Sequence, residues 1–270
     1  VKRTSELEAY QEAGEDPKAL ECIPMLKRSD IKREAAKIIN EELTVDDSLF
    51  LYHDVCTNGI GYVDLMFKTD SIAPEQIPYL GLLKSVLGYV DTENYTYGEL
   101  FNEINANTGG INCGVEVFDR ADSTEEFQAM FSVRGKALYT KMDFLFKMIG
   151  EILNSSKLED TKRLYEIVAS VKSRAQVNLT GAGHSTAVLR AAAYSSPMAA
   201  FQDEMAGIGY YQFIEKLEKD FEQRKEETVE ELCKLMKKIL RPENFMISYT
   251  GERESLETVQ KLAGAVKAGL

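Results

Sequence analysis

Two histidines, His53 and His184, are the only imidazoles in the chain. Metal chemistry at paired imidazoles needs both in one place, and these lie far apart, one in an apolar strand-like run and one in a glycine-rich turn. Neither has a His, Cys, Asp or Glu at ligand spacing on a helix face. Asp54 follows His53 directly, but neighbours on a strand point to opposite faces. Both histidines therefore read as ordinary hydrogen-bonded residues. Glu99 and Glu103 stand four apart on one expected helix. Any solvated helix carries such pairs, and without a metal or a histidine they are weak evidence for acid–base work.

The segment NLTGAGHSTAVLRAAAY offers two sharper chemistries. Gly181-Ala182-Gly183 ahead of a helix could cradle a phosphate at the helix N-terminus. The dinucleotide motif, however, needs a preceding strand and a third glycine, and the residues before Gly181 are helical. Gly183-His184-Ser185 lacks the Gly-Xaa-Ser-Xaa-Gly elbow, which disfavours a hydrolase built on Ser185 or His184. A tight turn between helices, capped by Ser185 or Thr186, is the expectation. Phe201, Tyr210, Tyr211, Phe213 and Phe221 recur at helical spacing and are expected to fill core, although beside glycines they could line a peptide groove.

Composition narrows the classes further. With 44% hydrophobic residues in 270, the chain can bury a sizeable core. Lys and Arg total 32 against 44 Asp and Glu, a net charge of −12 with no dense basic block, so nucleic acid is excluded as a partner. An acidic surface attracts basic peptides or maintains solubility. No apolar run reaches the roughly 18 residues of a membrane span, and the polar first residues have no signal-peptide core. They also lack an initiator Met, which reads as a piece of a longer chain. Cys22, Cys56, Cys113 and Cys233 form no Cys-Xaa-Xaa-Cys pair and read as reduced thiols of a cytoplasmic protein.

The elements that position these residues follow from periodicity. Residues 1–45 are charged and helix-prone, with a short helix expected after Ser29 or Asp30, and read as a connector; residues 46–270 read as one domain. SLFLYHDVCTNGIGYVDLMFKTD holds two strand-like runs around Asn58-Gly59, a hairpin signal that should pair them. A helix follows from Gln76, with Leu80, Leu83, Leu87 and Val90 on one stripe, and another runs from about Thr96 to Asn107. Two more strands, INCGVEVFDR and EEFQAMFSVRGKAL, precede a long helical stretch, then the strand NFMISYTG and a last helix. Hairpin-joined strands with helices gathered elsewhere predict an α+β fold, an antiparallel sheet with helices packed on it.

QIPYLGLLKSVLGYVDTENYTYGEL, GINCGVEVFD, GHSTAVLRAAAY, SPMAAFQDEMAGIGYYQFI and ENFMISYTGE together resemble the pitrilysin/insulinase (inverzincin) zinc metallopeptidases, presequence-protease-like subfamily. The resemblance covers nearly the whole chain and is to the connector tail plus the third, non-catalytic unit. It implies a parent of homologous α+β units in two halves around a peptide-degrading chamber. Zinc would sit in the N-terminal unit, on a helix carrying His-Xaa-Xaa-Glu-His. It also implies that QIPYLGLLKSVLG occupies the place of that helix, with Leu80, Leu83 and Lys84 where His, Glu and His would stand. No His occurs from residue 71 to 100, so no shift of register restores the motif. The expected function is a non-catalytic part of the peptide-holding chamber, with no catalytic, metal or cofactor-binding residue of its own. Its partners would be other units of the same polypeptide and peptide substrates. The alternative is a free-standing peptide- or protein-binding subunit that kept the fold.

Overall fold

Runs of period two form strands and runs of period three to four form helices. The computed structural model describes residues 2–14, 16–35, 37–123 and 125–270. It divides into two units, Val1–Ile38 and Ile39–Leu270. The first holds helices α1 (Lys2–Glu12) and α2 (Pro17–Glu21), neither with a buried residue. Asp16 caps α2 by accepting from the Lys18 N–H at 3.0 Å. Where a helix was expected after Ser29 or Asp30, the described residues show only a 3-10 turn at Arg28–Asp30. A short polar segment without an apolar stripe gives helix nucleation no tertiary support.

In the second unit, strands β1 (Glu41–Val45), β2 (Ser48–Asp54) and β3 (Ile60–Lys68) lead to helices α3 (Ile77–Val86) and α4 (Tyr97–Asn107). Strands β4 (Ile111–Asp119) and β5 (Phe127–Leu138) come next. Six helices follow: α5 (Met142–Ser155), α6 (Thr161–Gly181), α7 (Gly183–Ala192), α8 (Pro197–Ala206), α9 (Ile208–Lys219) and α10 (Phe221–Ile239). Strand β6 (Phe245–Gly251) and helix α11 (Leu256–Ala268) close the described chain.

The six strands form one sheet in the order β1-β2-β6-β3-β5-β4. The α+β class is as the periodicity predicts, but one pair, β2 with β6, is parallel in an otherwise antiparallel sheet. The expected pairing across Asn58-Gly59 is wrong, because β6 lies between β2 and β3. The turn itself is real. Asn58 and Gly59 have φ of 54° and 81°, and the Ile60 N–H donates to Thr57 O at 3.3 Å. The chain's actual tight hairpin is one turn earlier, where Asp46 and Asp47, φ 47° and 63°, join β1 to β2. Aspartate tolerates this left-handed backbone, so Asp-Asp is a hairpin signal that Asn-Gly overshadowed. Because β1 pairs with β2, the division falls between Ile38 and Ile39, earlier than the 45/46 boundary that composition suggests.

One face of the sheet presents Phe50, Tyr52, Leu65, Phe131, Val133 and Ile247 to the core, where residues of α3, α5, α6, α10 and α11 meet them. Tyr62, Asp64, Lys68, Arg134, Lys136 and Thr250 occupy intervening positions, as period two requires. Helix α3 ends at Val86, but Leu87 and Val90 beyond it are still buried, so the apolar stripe outlasts the helix.

Candidate functional site

Helix α3 carries the three positions that would decide a zinc site. Pro78 stands in its first turn, where a missing N–H costs nothing, and Leu80 and Leu83 are almost wholly buried in the core. Leucine offers no lone pair. Lys84 is half-buried, and desolvation lowers its ammonium pKa, with Glu116 of β4 opposing the shift. An ammonium repels a dication. These residues do not fit zinc. Among the described residues no group of three His, Cys, Asp or Glu side chains could hold a metal ion.

The structure does not bring the histidines together. His53 Nδ1 lies 2.7 Å from Ile39 O and Nε2 3.2 Å from Ser248 Oγ, an ordinary hydrogen-bonded strand residue. His184 and Ser185 are exposed at the start of α7, with no base or oxyanion donor arranged about them among the described residues. The cap expected at Ser185 or Thr186 is absent, because α7 begins at Gly183, directly beyond the end of α6. Thr186 Oγ1 instead donates back to Ala182 O at 3.3 Å. Glu99 serves a capping box: it accepts from the Thr96 N–H at 3.0 Å, and these Thr96 bonds hold its pKa low. Glu103 accepts from Asn107 Nδ2 at 3.3 Å. The expected aromatic core is present: Tyr79 packs edge-on to Phe213 at 4.8 Å between centroids. All four cysteines are free.

Sequence reasoning missed what joins GHSTAVLRAAAY to AAFQDEMAGIGYY. Asp203, only 1% exposed, accepts from the Ile208 and Gly209 N–H groups at 3.1 and 3.2 Å and from Arg190 Nη1 at 2.5 Å. It caps α9 and pins α7 to α8 at once. An acidic residue a few positions ahead of Gly-Ile-Gly was the available signal. On the sheet, Arg134 bridges Asp64 at 2.7 Å and Glu116 at 3.1 Å beside a cavity of about 520 Å³. Burial raises the Asp64 pKa against the pull of Arg134.

A sequence model described as peptidase M16, subgroup C, associated matches residues 1–217. The chain belongs to that family. It is 34% identical over 261 residues to Protein HypA of Clostridium perfringens, covering 97% of this chain and 27% of that one. It is 27% identical to presequence protease 1, chloroplastic/mitochondrial, of Arabidopsis thaliana, covering 97% of this chain and 24% of that protein. The chain thus spans about a quarter of these relatives' length. Its fold matches the crystal structure of a peptidase M16 inactive domain from Pseudomonas fluorescens, with TM-score 0.56 and 15% identity over 86% of this chain and 50% of that one. A conserved protein from Enterococcus faecalis V583 matches with TM-score 0.59 and 13% identity over 84% and 52%. The M16 non-catalytic region is therefore the one this chain resembles, in sequence and in fold. No helix among the described residues is long and apolar enough to cross a membrane.

Proposed function

We propose that this chain is a non-catalytic unit of a presequence-protease-like zinc metalloendopeptidase and forms part of the wall of a closed chamber that holds peptides for cleavage. The observation that supports it is α3, which keeps the packing of a core helix while Leu80, Leu83 and Lys84 stand where the family's His, Glu and His would be. On this reading the chain supplies no catalytic or metal-ligating residue. Zinc and the attacking water belong to another unit of the same polypeptide, and residues 1–45 connect the two halves. Four free thiols suit a reducing compartment, which we take to be the cytoplasm.

Two measurements test the reading. After dialysis the chain should carry no stoichiometric zinc, and incubation with an unstructured basic peptide should leave that peptide intact by mass spectrometry. One zinc per chain, lost in His53→Ala or His184→Ala, overturns it. Turnover abolished by a point change in this chain does so equally. An upstream His-Xaa-Xaa-Glu-His in the parent reading frame distinguishes this role from that of a free-standing binding subunit.

A further inference from the structure

Arg174 is the exception among the arginines of Ile39–Leu270. Every other one forms an ion pair with a carboxylate, whereas Arg174 makes neither an ion pair nor a side-chain hydrogen bond among the described residues. It lies on the rim of a cleft of about 260 Å³ between α6, α7 and the start of α9. Asn178 of α6, Thr186 of α7, Ser85 of α3 and Gly207 share the lining, and Tyr210 contributes from α9. Tyr210 is 5% exposed, and its hydroxyl has no partner among the described residues. A buried hydroxyl without a partner is costly, so its retention at a cleft needs a reason.

The chemistry of the cleft is one-sided. Arg174 offers only donors and cannot lose its charge. Burial raises the Tyr210 pKa, against the opposing influence of Ser85 and Arg174, which keeps the phenol protonated and a donor. Asn178 can add an amide N–H. The carboxylate closest in sequence to the lining, Asp203, is already paired with Arg190, so it does not compensate Arg174. In a chain of net charge −12, this is a local site for an anionic acceptor.

We propose that the cleft binds a peptide carboxylate, with Arg174 as its charge partner and Tyr210 and Asn178 as neutral donors. Its volume admits one terminal residue and no folded element. The choice of a peptide as the source rests on the chamber reading above; the site itself can be tested without it.

The test titrates the 270-residue chain with three probes, followed by NMR: an N-acetylated dipeptide acid, its amide, and N-acetyl-glutamate amide. The acid should bind saturably and shift resonances of α6 and α9, and the amide should bind about tenfold more weakly or worse. Saturable binding of N-acetyl-glutamate amide in place of the dipeptide acid supports the site with a side-chain carboxylate as source. Arg174→Met, at an exposed position, should weaken binding by about tenfold or more. Tyr210→Phe should weaken it by about fivefold while unfolding at the wild-type temperature or above, because it removes only an unpaired hydroxyl. Equal affinity in Arg174→Met overturns the proposal, as does saturation by the amide at the acid's affinity. A lowered unfolding temperature in Tyr210→Phe with unchanged affinity assigns the hydroxyl to the fold and also overturns it. If no carboxylate binds, the site fails and the chamber reading stands; if carboxylates bind but the parent cleaves no peptide, the reverse holds.

Discussion

At the scale of single residues, two carboxylates hold segments that are distant in the chain. Asp203 is buried and satisfies two N–H groups of α9 and the Arg190 guanidinium. Asp203→Ala removes a cap and an ion pair together, and should cost about 3 kcal/mol in urea unfolding. Part of the charge penalty is spared because Arg190 is 38% exposed and can be solvated. Glu252, just past β6, works differently. Its carboxylate accepts from the Thr57 N–H at 2.9 Å, the Asn58 N–H at 3.0 Å and Thr57 Oγ1 at 3.0 Å, with Tyr139 also donating. Desolvation pushes its pKa up, but the Thr57 bonds outweigh that and hold it below the usual glutamate range. The folded state thus binds this proton less readily than the unfolded chain. Its stabilisation is complete above the ordinary glutamate pKa and is lost as pH falls through the lower, folded value. Acid titration of stability should therefore be shallower in Glu252→Gln than in the parent chain, and identical curves would remove Glu252 from the acid response.

At the scale of elements, α3 is held by closeness. A Cβ at Gly81 would stand 2.5 Å from Met205 O of α8 and 2.8 Å from the Tyr210 ring, so no side chain fits between these helices. Gly81→Ala should destabilise by about 1–3 kcal/mol through overpacking. Gly150, inside α5, is the control. Nothing lies within 4 Å of its Cβ position. Gly150→Ala should stabilise by about 0.5–1 kcal/mol, since alanine restricts the unfolded chain and favours helix. Opposite signs in one unfolding series would locate the constraint at the α3–α8 contact; equal signs would not.

At the scale of the molecule, the net charge of −12 meets the proposed role in a chamber wall. If chamber-facing carboxylates contribute, capture of basic peptides by the intact enzyme should slow as salt rises to about 0.15 M, where the Debye length is roughly 8 Å. Reversing two or three such carboxylates to Lys should flatten that dependence. A kcat/KM for a basic peptide that ignores both salt and reversal assigns the charge to solubility.

What was legible in the sequence is what neighbours in the chain decide. The apolar frame of α3, the Thr96–Glu99 capping box, the turn at Asn58-Gly59 and the absence of His-Xaa-Xaa-Glu-His are all local, and periodicity or residue type reveals them. The insertion of β6 between β2 and β3, the Asp203–Arg190 lock and the meeting of Arg174 with Tyr210 were not legible. Each depends on residues brought together from separate elements. A turn signal states how the backbone bends and not which strand fills the gap beside it. An arginine carries the same sequence signature whether or not a carboxylate awaits it, and only tertiary packing decides which arginine is left without one.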